Sequence, residues 1–203
     1  HWYKNRQGVL AIFQALRSQL NAPPDLHLVF AGAPLPAHLR QQAEQAGFGD
    51  RVIEAPGVSN EDLRALYSCA TTLLFPSLQE GFGWPILEAQ ACGCPVFTTN
   101  QPPMTEVGGN AAFYLDPSDV TGSAAAIAET LPTLKQWVEP SLLHAQQFSN
   151  EAMIAVYLRE YELAMQAFTP AAPWAESTMA IEDVAISTTT PSTAGHPEPP
   201  AIE

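Results

Sequence analysis

Apolar residues recur near the start of the chain at Val9, Phe13, Leu16 and Leu20, a spacing that predicts an amphipathic helix over about residues 5–20. Leu26 to Ala31 (LHLVFA) is a short apolar run that ends at Gly32 and reads as a buried strand, with His27 at an alternating, structural position. Pro36 to Ala46 predicts a second helix stopped by Gly47, and Arg51 to Glu54 a short strand closed by Pro56-Gly57. Ser59-Asn60-Glu61-Asp62 is a capping-box signature, and Leu63, Leu66 and Tyr67 give the helix after it an apolar side. Thr71 to Phe75 reads as a strand and Pro76 to Trp84 as the loop that follows it. Pro85 suits the first turn of a helix ending near Gly93. Further strands are expected at Pro95–Thr98 and Ala112–Leu115, with Gly108-Gly109 as a turn between them. Helices fill most of Ser118 to Phe168, where Met153 to Phe168 has the spacing of a helix with one buried face.

Strands alternating with helices predict an α/β fold, a Rossmann-like parallel sheet with helices on both faces. Ligands of such sheets bind beyond the carboxyl ends of the strands. The loops of interest are therefore those around Gly32, Gly57, Pro76 to Trp84 and Asn100 to Glu106. No strand precedes the first predicted helix. The first strand of the sheet is accordingly expected to be missing, lying ahead of His1, and the chain to begin inside a larger protein.

Composition changes the picture at one end. The chain has 203 residues, 46% of them hydrophobic, enough for one substantial domain. From Thr169 to Glu203 it carries six prolines and five acidic residues, with no Lys or Arg. The expected organisation is a folded domain over 1–168 and a disordered acidic tail over 169–203. Without the tail's five acids the formal charge of −13 becomes −8. Neither value suits a nucleic-acid partner, although a local cluster of donors can still hold a small anion. Cys69, Cys92 and Cys94 make an odd set without disulfide-framework spacing. They read as buried thiols of a reducing compartment, the cytoplasm. No run is long enough for a transmembrane helix, and His1-Trp2-Tyr3-Lys4 is not a signal peptide.

The segment Pro76-Ser-Leu-Gln-Glu80-Gly-Phe-Gly-Trp-Pro-Ile-Leu-Glu88 carries the chemistry. A strand, a glycine-containing loop and a helix start follow one another directly, so free N–H groups and the helix dipole make an anion site. Gly81 and Gly83 permit close approach of backbone to ligand and positive φ. Glu80 and Glu88 can face the same crevice, where a carboxylate suits the hydroxyls of a vicinal diol. On spacing alone, two solvated surface glutamates are an equally good reading. Lys4, by itself, reads as a solvated charge near a terminus.

The Glu-x7-Glu spacing of Glu80 and Glu88 resembles the signature of the retaining GT-B glycosyltransferases of family 4, the glycosyl transferases group 1. Several further stretches resemble the same family in its order: Gly57-Val-Ser-Asn-Glu-Asp-Leu63, Leu66-Tyr67, Leu74-Phe-Pro-Ser77 and Glu88-Ala-Gln-Ala-Cys-Gly93. So do Pro95-Val96, Glu106-Val-Gly-Gly-Asn-Ala-Ala112 and Tyr114-Leu-Asp-Pro117, and the likeness runs from about Tyr3 to Phe168. The resemblance implies the C-terminal, donor-binding half of a GT-B enzyme. It implies that Glu80 contacts donor-sugar hydroxyls and Glu88 the ribose. Backbone at Gly81, Phe82, Gly83 and the helix start from Trp84 would hold sugar and phosphates. Lys4 would pair with the diphosphate, and Val58 would lie beside the base. The implied donor is a UDP- or GDP-linked sugar. The implied acceptor is a glycan or lipid, bound mainly by an N-terminal domain that could also touch a membrane surface.

Other candidates carry less. Cys92-Gly-Cys94 has no His neighbours and reads as core rather than a metal pair. His38 and His144 lie in predicted helices without a nucleophile pattern, and there is no Asp-x-Asp. No metal and no cofactor is therefore expected. Two alternatives stay open: an epimerase-like enzyme acting on nucleotide sugars, and a non-catalytic nucleotide-binding domain.

Overall fold

The computed structural model describes residues 2–19 and 23–167. The chain divides into a unit of His1–Leu158 and a second of Arg159–Glu203. The expected tail over 169–203 lies outside the described residues, as does Leu20 of the first predicted helix.

After a 3-10 turn at Trp2–Lys4, the elements alternate as the pattern demands. They are α1 (Arg6–Arg17), β1 (Leu28–Ala31), α2 (Ala37–Gln45), β2 (Val52–Ala55), α3 (Asn60–Cys69), β3 (Leu73–Phe75) and α4 (Trp84–Ala91). Then come β4 (Val96–Thr99), α5 (Met104–Gly108), β5 (Ala112–Leu115), α6 (Val120–Thr130), α7 (Val138–Ala145) and α8 (Asn150–Ala167). Every strand pairing is parallel: β1 with β2, β3 with β4, and β4 with β5. The architecture is the expected α/β one, but the strands form two sheets, β1-β2 and β3-β4-β5, rather than one.

One face of both sheets is covered by α1. Val9, Leu10 and Phe13 join Phe30 of β1, Leu39 of α2 and Phe48 in one core cluster. Ile12 and Leu16 join Phe97 of β4, Leu115 of β5 and Ile127 of α6 in a second. A third lies under α4 and α5, where Ile86, Met104 and Val107 meet Val96 and Ala112. The β3-β4-β5 sheet is thus packed between layers, and all four residues of β4 are buried. The β1-β2 sheet is not. Its register partners Val29 and Ile53 are 42% and 46% exposed, and α3 buries none of its residues. Helices flank the parallel strands as expected, with the cover thinner over β1-β2 than over β3-β4-β5.

The N-terminal end of α1 sits between the carboxyl ends of β1 and β3. The Tyr3 carbonyl accepts from the Leu78 N–H at 2.8 Å, and Asn5 Nδ2 donates to the Pro76 carbonyl at 3.0 Å, both just past β3. Arg6 donates to the Ala33 and Pro34 carbonyls, just past β1. Both segments follow the strand ends where a parallel sheet places its ligands.

Local signals decide the helix boundaries. Ser59 and Asp62 form the reciprocal capping box, with Asp62 N–H to Ser59 Oγ at 3.1 Å and Ser59 N–H to Asp62 Oδ2 at 3.2 Å. Four sequence expectations fail. Met104–Gly108 is helical although Asn100 to Glu106 reads as loop and Gly108-Gly109 as turn, because Met104 and Val107 are drawn into the core under α4. Cys69, expected to be buried, is exposed at the end of α3, whereas Cys94 is buried. Burial pushes the Cys94 thiol up to about 12. In α8 the apolar residues expected to be buried are at least half exposed through Met153, Ile154, Val156, Tyr157 and Leu158. His27, too, is exposed, just ahead of β1.

Glu54, at the end of β2, clamps the start of α2. Its Oε2 accepts from the Leu35 N–H at 2.7 Å and its Oε1 from Arg40 Nε at 2.7 Å. These bonds, the backbone one foremost, hold its carboxyl below the usual glutamate range. A lowered folded-state value means that the stabilisation is present above the unfolded value, about 4.3, and is lost as pH falls through the folded one. Glu54→Gln should therefore lower the melting temperature at neutral pH. The gap to the parent should close as pH falls below about 4. A pH series of thermal melts on both proteins checks this.

Candidate active site

The site grows from the stretch between β3 and α4. Pro76 and Ser77 are buried, and Ser77 is the pivot. Its hydroxyl lies 2.9 Å from the Tyr3 carbonyl and 2.6 Å from Glu80 Oε1, and its own carbonyl accepts from Thr99 Oγ1 at 2.6 Å. A hydroxyl has one proton, so it donates to one of these two oxygens at a time. Glu80 Oε1 also receives Lys4 Nζ at 2.8 Å. The side chains of Lys4 and Glu80 are 33% and 9% exposed, so the pair is sheltered but open on the lysine side. Lys4 further lies over the rings of Phe75 and Tyr3, 4.9 and 5.4 Å from their centroids. Two residues 76 positions apart, both expected in the site, are thus brought into direct contact.

Beyond Glu80 the backbone turns into α4. Gly83 caps the helix at φ 106°, ψ 39°, in the left-handed region, and a Cβ there would meet Ile86 Cδ1 at 3.3 Å. Gly81 is outside that region, and a Cβ there would meet nothing within 4 Å. The space beside Gly81 is open. The N–H groups of Gly81, Phe82, Gly83 and Trp84 donate to no group among the described residues, whereas the Ile86 N–H is taken by the Gly83 carbonyl at 2.9 Å. The helix start therefore presents a short run of unused donors, and Ile86 is not among them. No acidic residue occupies the first turn of α4 to compete for its positive end. Trp84 is 61% exposed, with its ring centroid 4.7 Å from that of Phe82.

Glu88 sits one turn further along α4 and is exposed. It shares no partner with Glu80. Its Oε2 accepts from the Tyr67 hydroxyl of α3 at 3.4 Å. Burial, and then the charge of Glu88, push the Tyr67 phenol well above its ordinary value, so it remains a proton donor. Sequence reading gave Tyr67 an apolar side of its helix and a place in the family resemblance but no site role, and its position 21 residues before Glu88 left no local signal of this contact. Val58 is half-buried in the loop after β2. Among the described residues no group of three or more His, Cys, Asp or Glu could hold a metal, and no helix is long and apolar enough to cross a membrane. His38 is exposed, and His144 Nε2 lies 2.9 Å from the Val107 carbonyl, within the packing of α5 and α7.

Residues 1–135 match the family model described as glycosyl transferases group 1. The O-antigen chain mannosyltransferase B of Escherichia coli is 41% identical over 110 residues, 52% of this chain and 29% of that protein. The D-inositol 3-phosphate glycosyltransferase of Mycolicibacterium smegmatis is 32% identical over 156 residues, 70% of this chain and 35% of that protein. The chain thus spans about a third of the length of the curated relatives it matches. Among solved structures, the pneumococcal O-GlcNAc transferase GtfA in complex with UDP and GlcNAc superposes with a TM-score of 0.66 at 17% identity, over 81% of this chain and 34% of that one. The C-terminal domain of a glycosyl transferase group 1 family protein from Francisella tularensis gives 0.61 at 18% identity, over 73% of this chain and 80% of that one. These two likenesses concern the fold.

Ser77→Ala removes the buried hydroxyl that Tyr3 and Glu80 share. The Tyr3 carbonyl keeps the Leu78 N–H, and Glu80 keeps Lys4, so no buried group is left wholly unpaired. The expected loss is about 1 kcal/mol of unfolding free energy, measured by urea denaturation.

Proposed function

Because this chain belongs to the glycosyl transferases group 1 family, we propose that it is the donor-binding part of an enzyme that moves a sugar from a UDP- or GDP-linked donor to an acceptor, with retention of configuration. The observation that supports this most is the Lys4–Glu80 pair beside four unused N–H donors at Gly81, Phe82, Gly83 and Trp84. An ammonium and a fan of backbone donors suit a diphosphate, and a carboxylate next to them suits the hydroxyls of the sugar that the diphosphate carries.

On this reading the N–H groups and Lys4 stabilise negative charge as it grows on the departing β-phosphate. The bond from the sugar's anomeric carbon to that phosphate oxygen breaks, and a bond from the same carbon to the acceptor oxygen forms on the same face. The acceptor's proton passes to the departing phosphate. Glu80 orients the sugar, Glu88 binds the ribose with Tyr67 holding its carboxylate, and Val58 flanks the base. The acceptor, a glycan or lipid, is bound mainly by a further domain that closes over this one in the cytoplasm and excludes water.

Calorimetry with UDP and GDP, beside a transfer assay, tests the proposal. The chain is expected to bind one of the two nucleotides without transferring sugar. Glu88→Ala should weaken nucleotide binding by about 1.5–3 kcal/mol through lost charge-assisted bonds. Glu80→Ala should change it little, because Lys4 spends only one of its three donors on Glu80, and should act instead on donor turnover in the complete enzyme. Identical behaviour of the two variants toward free nucleotide would overturn the division of roles, and transfer by the chain alone would overturn the need for a second domain.

A further inference from the structure

A cavity of about 470 Å³ opens beyond the carboxyl ends of β4 and β5, and the site described above does not use it. Thr99, Asn100 and Gln101 line one side, and Leu115, Asp116 and Pro117 the other. Leu78 completes the wall, two residues before Glu80. That wall is stiffly tied. Gln101 Nε2 donates to the Leu78 carbonyl at 2.6 Å, and Thr99 Oγ1 to the Ser77 carbonyl at 2.6 Å. The loop that carries Glu80 is therefore also the wall of the cavity.

The polar groups of the lining that keep capacity are two amides and a carboxylate. The Asn100 side chain is exposed and makes no hydrogen bond to any described residue. Gln101 spends one N–H of its amide on Leu78 and keeps the other N–H and its oxygen. Asp116 has committed Oδ1 to the Ser118 N–H and hydroxyl, at 2.9 and 2.6 Å, and leaves Oδ2 free. Two amides that can each still donate and accept, beside one carboxylate oxygen, match hydroxyl groups, which do both. No Lys or Arg lines the cavity, and an ionised Asp116 repels phosphate and carboxylate. Leu78 and Pro117 supply apolar surface of the kind a pyranose covers with its C–H face.

We propose that this cavity is a subsite for a neutral glycosyl ring, held through its hydroxyls by Asn100, Gln101 and Asp116 and packed on Leu78 and Pro117. The proposal rests on the glycosyl-transfer reading and adds a place for sugar lined by none of the phosphate-binding donors. The ring belongs either to the donor's own sugar or to the acceptor, since both present the same chemistry.

Saturation-transfer NMR on the 203-residue chain, with the methyl α-glycosides of glucose, mannose and N-acetylglucosamine as probes, tests it. At least one glycoside should receive saturation from the parent protein. Asn100→Ala should weaken it roughly five- to tenfold, the loss of one or two neutral hydrogen bonds. Asn100→Trp, which fills the cavity from an exposed position, should abolish it. Affinity for UDP and GDP, read by calorimetry, should be unchanged in both variants. If Asn100→Trp also removes the affinity that a UDP-sugar gains over UDP, the ring is the donor's. If that increment survives while the glycoside is lost, it is the acceptor's. Absence of glycoside binding to the parent, or its persistence in Asn100→Trp, overturns the subsite whatever the nucleotides do. Failure of both nucleotides to bind, with glycoside binding lost in Asn100→Trp, overturns the donor-binding reading and leaves the sugar site standing.

Discussion

The structure depends on a helix with two apolar directions. At 100° per residue, Val9, Leu10 and Phe13 of α1 occupy one part of an apolar arc of about 160°, and Ile12 and Leu16 the other. The first part packs against β1 and α2, the second against β4, β5 and α6. The two sheets share no strand, so α1 is the element that gives them a common layer, helped by Leu26 and Leu74, which pack against both clusters. The same helix places the chemistry. Its N-cap Asn5, in the left-handed region at φ 50°, accepts from the Gly8 N–H and donates to the Pro76 carbonyl. Lys4, one residue earlier, is thereby carried to the carboxyl end of β3, where Glu80 waits. Packing of α1 and position of Lys4 are one constraint seen from two ends.

How much of this the sequence disclosed follows from the range of each interaction. Elements written by local periodicity and capping were legible: the strand–helix alternation, the Ser59–Asp62 box and the start of α4 near Pro85. Pairings that span the chain were not. Nothing near Lys4 announces that its ammonium meets Glu80, and nothing near Tyr67 announces Glu88. Where local and tertiary signals conflict, the tertiary one prevailed. The prolines at 102 and 103 argue for loop, yet Met104 and Val107 have a core to enter and the segment becomes helix. Leu66 and Tyr67 argue for a buried α3, yet that helix only half-buries its apolar side and leaves Cys69 outside. Periodicity states which residues could share a face. It does not state whether anything covers that face, and α8 shows the difference.

The candidate site was legible for a different reason. A strand, a glycine loop and a helix start are consecutive in the chain, so the donors they expose are consecutive too. Gly81, Phe82, Gly83 and Trp84 follow Glu80 without interruption, and a motif of this kind survives as a string of residues. The cavity beyond β4 and β5 has no such string. Its walls come from the ends of three strands, Leu78, Asn100 and Asp116 being separated by 22 and 16 residues in a sequence that offers no sign of their meeting.

The pairing of Lys4 with Glu80 looks at first like a competitor for any ligand, since it gives each group a partner of its own. The atoms used argue otherwise. Both Lys4 and the Ser77 hydroxyl address the same oxygen, Oε1, and Oε2 accepts from no described residue. One oxygen of Glu80 is thus spent on orientation and the other is left to accept from a hydroxyl. Lys4 has three donors and spends one on Glu80. Each member of the pair keeps capacity for a different part of the same donor molecule, phosphate for the lysine and sugar for the glutamate. Ser77, fully buried, fixes the direction of the carboxylate before anything binds. On the proposed reading, this is preorganisation: the contact that holds Glu80 in place in the ligand-free protein is compatible with the bound one, so little has to be rearranged at the moment of reaction.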